Sequence, residues 1–432
     1  MKKGIYFFVL LILTTSVYGE QQDFDFSSYT LPDFHRQGLE FTFPGLTISA
    51  ESSETDGEEA YRTDFSTSLG GHYFGYFYRE KWETDYHLRG DIGYTLFKDN
   101  NDSRHEKLYG LAASFDGRYY IGGRFFVLAG EEFRYEEEYT NYRETDKRYY
   151  KTENRLQGGI GYGRVFDMSA MVRALIIIDE LYHNDLLTRY PADKDLRALG
   201  DLVCELEEGR VLDSRLKRME DFKRIDAFLR ERNLLREENI EYFAILQDMM
   251  LMFYEFEVRR LNGSRLSSAF GYQKSHVYRR WMDGVQSKET ENGPFFSASA
   301  FYYKIINRFL SFGAGAEWRS ADYDHTGMNM ASQNAREESV MLETGLSYYP
   351  DTRSYFQLSY GYYFSKKDEG EIELHRSKVH RFGARAYYAL TTRLTLESQA
   401  ILSHRKEKEL IQDDERRVWG TDLYLILGYK VF

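Results

Sequence analysis

The amino-acid sequence predicts an all-β transmembrane barrel of about fourteen antiparallel strands, interrupted by an α-helical insert of about four helices. Three observations carry this reading. Short segments rich in Tyr, Phe, Gly and Ser alternate apolar with polar residues, the period of a strand with one wet face. Aromatic residues make up 17% of the chain, with 34 glycines against 5 prolines, yet mean hydropathy is only −0.59. A barrel reconciles the two, because only alternate residues of each strand face lipid. Finally, one long stretch, from about Val165 to Glu255, has helical periodicity and divides the strands into two unequal groups.

The first nineteen residues have the three parts of a secretory signal: Lys2 and Lys3, the apolar run Ile5 to Leu13, and Val17-Tyr18-Gly19 before Glu20. The apolar run is too short to span a bilayer as a helix. No other run reaches the roughly 18 to 20 apolar residues that a membrane helix needs. Cys204 is the only cysteine, which excludes an intramolecular disulfide and a cysteine-based metal cluster and leaves a buried small hydrophobe. The formal charge of −12, which becomes −14 when Lys2 and Lys3 leave with the signal, disfavours nucleic acid as a partner.

After an aperiodic lead from Glu20 to Arg36, six strands are predicted near 38–50, 61–79, 82–98, 106–120, 124–139 and 149–164. Pro44 interrupts the first, as a proline can near a strand end or bulge. In the third, Tyr86, Leu88, Gly90, Ile92, Tyr94 and Leu96 oppose His87, Arg89, Asp91, Gly93 and Thr95. In the sixth, Gly158 to Gly163 looks superficially like a nucleotide loop, but its glycines lie inside a strand pattern and lack the dinucleotide spacing. They read as a bend or close packing in a barrel wall.

Eight further strands are predicted near 256–275, 294–306, 308–321, 337–349, 353–366, 377–390, 393–405 and 416–431. Their alternation is the clearest in the chain. Leu310, Phe312, Ala314, Ala316 and Trp318 oppose Ser311, Gly313, Gly315, Glu317 and Arg319. An Arg or Lys facing lipid at mid-bilayer costs about 2–4 kcal/mol, so in-strand charges are assigned to the lumen. Arg89, Asp91, Glu317, Arg319, Glu343, Arg381, Arg385 and Glu397 are the candidate lumen-lining residues, and their mixed signs favour no one ion class.

Connections supply a second line of argument. Very short links at Glu80, Ile121-Gly122-Gly123, Asn307, Pro350-Asp351-Thr352 and Thr391-Thr392 alternate with longer polar ones at 51–60, 99–105, 140–148, 276–293, 322–336, 367–376 and 406–415. The short set reads as periplasmic turns and the long set as extracellular loops. The helical run occupies a short-link position, which places it at the periplasmic end. Its helices are expected from Ser169, with Val172, Leu175, Ile176 and Leu181 as an apolar stripe; from about Ala192 to Glu208; from Asp213 to Arg232; and from Glu237 to Phe256, with Ile240, Phe243 and Ala244 inward. Met249, Met250, Met252 and Phe253 are the candidate partner or plug surface, since methionine adapts to varied shapes.

The final segment, Leu423-Tyr424-Leu425-Ile426-Leu427-Gly428-Tyr429-Lys430-Val431-Phe432, resembles the C-terminal assembly strand of Gram-negative outer-membrane β-barrels, although Leu423, Leu425, Leu427, Tyr429 and Val431 share a face that excludes Phe432. The passage Gly161-Tyr162-Gly163-Arg164-Val165, with Asp213-Ser214-Arg215 later, resembles an uncharacterised group of barrels with helical periplasmic inserts. These resemblances imply a bacterial outer-membrane location with the insert in the periplasm, and no activity.

No catalytic constellation stands out: the ten histidines are scattered, with no His-Glu-x-x-His run and no Gly-x-Ser-x-Gly elbow. The chain is therefore expected to be no enzyme and to need no cofactor or metal. The expected partners are outer-membrane lipid and, through the insert, a periplasmic protein. Two functions fit: a channel or transporter for small solutes or a polymer, with the insert gating the pore or docking a partner, and a non-conducting structural or assembly protein anchored by its barrel.

Overall fold

A computed structural model of the chain describes residues 24–43, 46–55, 58–99, 103–142, 145–208, 214–237, 239–251, 259–281, 285–326, 333–350, 354–369, 372–390, 394–409 and 414–430. The predicted signal sequence and Phe432 lie outside them. Among the described residues fifteen strands are formed. β1 (Phe34–Phe43) and β2 (Leu46–Thr55) flank Pro44, and together they occupy the place of the first predicted strand. Then come β3 (Glu58–Tyr78), β4 (Trp82–Asp99), β5 (Ser103–Ile121), β6 (Phe125–Tyr142) and β7 (Thr145–Asp167). After the helices follow β8 (Leu261–Arg280), β9 (Gln286–Asn307), β10 (Leu310–Thr326), β11 (Gln333–Tyr348), β12 (Ser354–Glu369), β13 (Ile372–Ala389), β14 (Leu394–Glu409) and β15 (Asp414–Lys430).

Every strand pairs antiparallel with its sequence neighbour from β2 to β15. β1 pairs with β3 on one side, Phe34 opposite Tyr78, and with β15 on the other, Glu40 opposite Lys430. β1 therefore bridges the first and last strands of the meander, which removes the exposed edges an open sheet would carry. The fold is that of an all-β transmembrane barrel with fourteen spans, β1 and β2 sharing one. Among the described residues no helix is long and apolar enough to cross a membrane, so crossing falls to the strands.

The predicted alternation places the side chains. Leu88, Ile92, Leu111, Phe115, Leu156, Ile160, Leu266, Phe270, Phe356, Leu358 and Phe382 are all exposed, and in the middle of their strands they alternate with inward charges such as Arg89, Asp91, Asp116, Arg155, Arg265 and Arg381. So many exposed large apolar residues on one side of a sheet form a lipid-facing band.

The long polar loops are corrected by the structure. Most of those segments are strand: β4 and β5 are separated only by 100–102, β6 and β7 by 143–144, and β12 and β13 by 370–371. The wall thus continues far past the apolar band. Alternation fades there because both faces are wet, while the backbone ladder persists. Charge pairs take over from apolar contacts, as where Arg148 meets Glu137 at 2.8 Å and Arg279 meets Glu289 at 2.5 Å.

β7 runs to Asp167, which pairs with Leu261 of β8, and the helices lie between them: α1 (Ser169–His183), α2 (Asp193–Glu208), α3 (Ser214–Glu231) and α4 (Ile240–Leu251). Two expectations change here. α1 carries no simple stripe: Met171, Ala174, Leu175, Ile177, Ile178 and Leu181 are all buried, as are Arg173 and Asp179, so the helix is enclosed on every side. In α4 the inward residues are Tyr242 and Leu246, whereas Ile240 and Phe243 are exposed. The run is apolar almost all round, so periodicity could not pick a face. The Tyr242 hydroxyl, which donates to Asp226 of α3 at 2.7 Å, fixes the register.

The lead before β1 is also more than a connector. Phe26, Tyr29 and Leu31 enter the same core, the Tyr29 hydroxyl donates to Asp201 at 2.8 Å, and Arg197 binds Ser28. Cys204 is buried within that core.

Candidate functional site

The inward faces of the strands enclose the candidate site. Period-two geometry sends Asp85 and His87 on β4, Ser114 and Asp116 on β5, and Glu132 and Arg134 on β6 to one side of the sheet. These residues, with others on β7 to β12, wall a chamber of about 1040 Å³. Nine carboxylates and five Lys or Arg side chains line it, so its walls are charged throughout. Many are paired: Arg155 contacts Glu132 at 3.1 Å and also Glu153, and Lys367 reaches Glu291 at 3.0 Å. A second chamber of about 770 Å³ is walled chiefly by β9 to β14, with His72, Phe74 and His87 facing it from β3 and β4. His87 lines both chambers and lies 3.1 Å from His72.

Of the eight residues singled out from sequence, Glu317 and Arg319 line the first chamber and Glu343, Arg381 and Arg385 the second. Glu397 lies outside both linings but pairs with Arg385 at 2.5 Å. Arg89 and Asp91 pair with each other at 3.0 Å and line neither chamber. Of the candidate partner surface, Met249 and Met250 fall within α4, with side chains outside the described set, and Met252 and Phe253 lie beyond the described residues. Among the described residues no group of three His, Cys, Asp or Glu is arranged to hold a metal ion.

At the end of the barrel that carries the insert, a buried charge cluster crosses the lumen. Glu83 on β4 accepts from Arg118 at 3.1 Å and Tyr120 at 2.7 Å, both on β5, and from Arg265 on β8 at 3.3 Å. Asp85 accepts from Arg259 at 3.0 Å. β4 and β8 are not neighbours in the sheet, so the Arg265–Glu83 and Arg259–Asp85 pairs tie separate parts of the wall together. Burying these ions without partners would cost several kcal/mol each, which makes the cluster mutually dependent. Sequence reasoning missed all of them. Glu83 and Asp85 share the face of Arg89 and Asp91, and that parity was the available signal; contacts such as Arg265 to Glu83, 182 residues apart, have no local signature.

The insert rests directly on this floor. Phe34, Tyr76 and Tyr78, on the inward face of β1 and β3, and Ile305, on that of β9, belong to the same buried cluster as α1 and α2. Arg260, just before β8, donates to the carbonyls of Asn307 and Arg308 and to the Ser311 hydroxyl, and its guanidinium stacks 3.9 Å from the Tyr349 ring centre. Burial pushes its pKa down to about 10, which leaves it charged at neutral pH. Arg164 lies between Tyr78 and Tyr120, 4.2 Å from each ring centre, and donates to the carbonyls of Arg79 and Glu80 in the β3–β4 turn.

No protein-family model and no curated protein matches the chain. Among solved structures, the chain is similar to the toluene transporter TodX of Pseudomonas putida, at 9% identity and a TM-score of 0.33, over 92% of this chain and 89% of that one. It is similar to an outer-membrane channel of Pseudomonas putida F1 at 8% identity and a TM-score of 0.32, over 94% and 99%. A third likeness is to the outer-membrane channel DcaP of Acinetobacter baumannii, at 9% identity and a TM-score of 0.32, over 92% and 96%.

Proposed function

We propose that the protein is an outer-membrane channel for small polar solutes, and that the helical insert gates it from the periplasmic end. One observation carries the reading: the hydrophobic core of the insert includes side chains that point into the barrel. A module that merely hung from a turn would bury its apolar residues within itself. Here α1 shares its core with Phe34, Tyr76, Tyr78 and Ile305, above a lumen crossed by ion pairs. The two chambers beyond supply a polar path, and the insert with its charge floor closes one end.

Single-channel recording in planar bilayers tests this. The full-length protein is compared with a variant in which residues 168–260 are replaced by a short Gly-Ser turn, which the pairing of Asp167 with Leu261 accommodates. Low or intermittent current in the full chain, rising on deletion, is the expected result. A folded barrel that stays silent in both forms would overturn the channel and favour an anchored, non-conducting role. Equal current in both would leave a channel and remove the gate.

A further inference from the structure

We infer that the second chamber is a binding site for a neutral carbohydrate of about disaccharide size. The inference rests on the channel reading only in requiring that solute reach the chamber. The geometry begins with Phe301 and Tyr303, which share the inward face of β9. Their ring centres are 6.4 Å apart and their planes differ by 8°. The paired positions on β10 are glycines, Gly315 opposite Phe301 and Gly313 opposite Tyr303. A Cβ on Gly315 would sit 3.1 Å from the Phe301 ring, and one on Gly313 3.0 Å from the Tyr303 ring. The glycines therefore let one edge of each ring lean over bare backbone as a parallel pair; both rings line the chamber, with the Arg265 guanidinium 5.6 Å from the Phe301 ring centre.

The row of cross-strand partners continues from the ring pair. Gly315 is followed by Glu343 on β11, Gly361 on β12 and Arg381 on β13. Strand spacing of about 4.8 Å places the Glu343 and Arg381 backbones about 10 Å apart, with the glycine leaving a gap between their side chains. Both side chains line the chamber, and neither makes a hydrogen bond or ion pair with another described residue.

A parallel aromatic pair beside an acceptor and a donor suits a pyranose. One sugar face presents C–H groups of positive partial charge to the electron-rich ring face. Its rim presents hydroxyls that can donate to the Glu343 carboxylate and accept from the Arg381 guanidinium. A net-charged solute would meet one like charge, and an aromatic hydrocarbon would strip water from both ions without replacing it. The chamber, at about 770 Å³, falls within the size range of small-molecule sites and is large enough for two linked sugars.

Isothermal titration of the refolded full-length protein in detergent with maltose, cellobiose and lactose separately should show millimolar binding of at least one. Replacing both rings with alanine (F301A/Y303A) should weaken it about tenfold or more. Gly315→Val, which keeps both rings and both charges but displaces Phe301, should also weaken it. A compact, heat-modifiable band in electrophoresis shows that each variant is folded. No binding of any of the three sugars, unchanged binding in the folded double variant, or binding of zwitterionic glycine in place of sugars would each overturn the site. Current that flows with no sugar binding sinks the site and leaves the channel; sugar bound to a silent barrel does the reverse.

Discussion

Arg308, in the turn between β9 and β10, places its guanidinium 2.5 Å from the carboxylate of Asp179 on α1, and both side chains are nearly buried. Asp179 also accepts from the Tyr190 hydroxyl at 2.9 Å. One turn of the barrel thus holds one helix of the insert by a charge pair shielded from water. Replacing Arg308 with alanine would leave a buried carboxylate with a phenol as its remaining hydrogen-bond donor, a loss of roughly 3–5 kcal/mol for a broken buried pair. The R308A variant should show faster amide exchange across α1 and longer open times in planar bilayers. Combining R308A with D179N should cost less than the two single changes added together, since one interaction is lost in all three.

The insert should also be separable from the wall by its core. Ile178 on α1 and Leu199 on α2 are fully buried in the cluster shared with the barrel mouth. Truncating either to alanine removes contacts and leaves a cavity, at a cost of about 2–5 kcal/mol. The effect should fall on the insert, because the barrel is held by its own continuous ladder. Limited proteolysis of I178A and L199A should cut within 184–192 and 232–239 well before any strand is cleaved; simultaneous loss of the folded barrel band would show that the two share one cooperative unit.

What could be read in advance follows from which forces leave a local trace. Strand existence was legible because each membrane span must alternate, as Leu310 to Arg319 does. The α1 to α3 boundaries were legible from their periodicity and limits. The extension of the wall past the membrane was not, since strands such as β12 near Lys366 and Asp368 carry charge on neighbouring positions of both faces. Nor was the role of the lead, where Phe26 and Tyr29 flank a single short 3-10 turn and are buried by helices far along the chain. Within the lumen, parity identified the inward charges but could not say that Arg265 would meet Glu83 or that Gly315 would let Phe301 lean over bare backbone. The first depends on closure of the sheet and the second on the register of the β9–β10 hairpin.

Tyr190 links the same anchor to pH. Burial raises its phenol above the ordinary tyrosine value, and the adjacent Asp179 carboxylate raises it further. The folded insert therefore holds this proton more tightly than the unfolded chain does. The resulting stabilisation is complete below the unfolded value of about 10 and declines as pH rises through the higher folded value. Proteolytic susceptibility of the insert should rise with alkaline pH in this range. Tyr190→Phe should start less stable at neutral pH, having lost the hydrogen bond, and show a flatter alkaline limb. An identical alkaline profile in Y190F would place the titrating group elsewhere.

The exit from β7 and the entry to β8 depend on two glycines. Gly163 has φ +98° and Gly263 has φ +122°, a region side-chain-bearing residues rarely adopt. A Cβ on Gly163 would fall 2.3 Å from the Ser264 carbonyl oxygen, and one on Gly263 2.3 Å from that of Arg164. The strain would not stay local, because Arg164, next to Gly163, reaches the β3–β4 turn, and Arg265, paired opposite Gly163, reaches Glu83. Gly163→Ala and Gly263→Ala should each lose roughly 1–2 kcal/mol from backbone conformation alone, and more from the clash. Gly122, in the β5–β6 turn, also has positive φ but open space around it, so Gly122→Ala carries only the conformational part. Refolding yield scored by heat-modifiable mobility should rank wild type first, G122A next and the two β7–β8 variants last. If G163A or G263A assembles but passes more current than wild type, the twist set by these glycines positions the charge floor beneath the insert and is not needed to close the barrel.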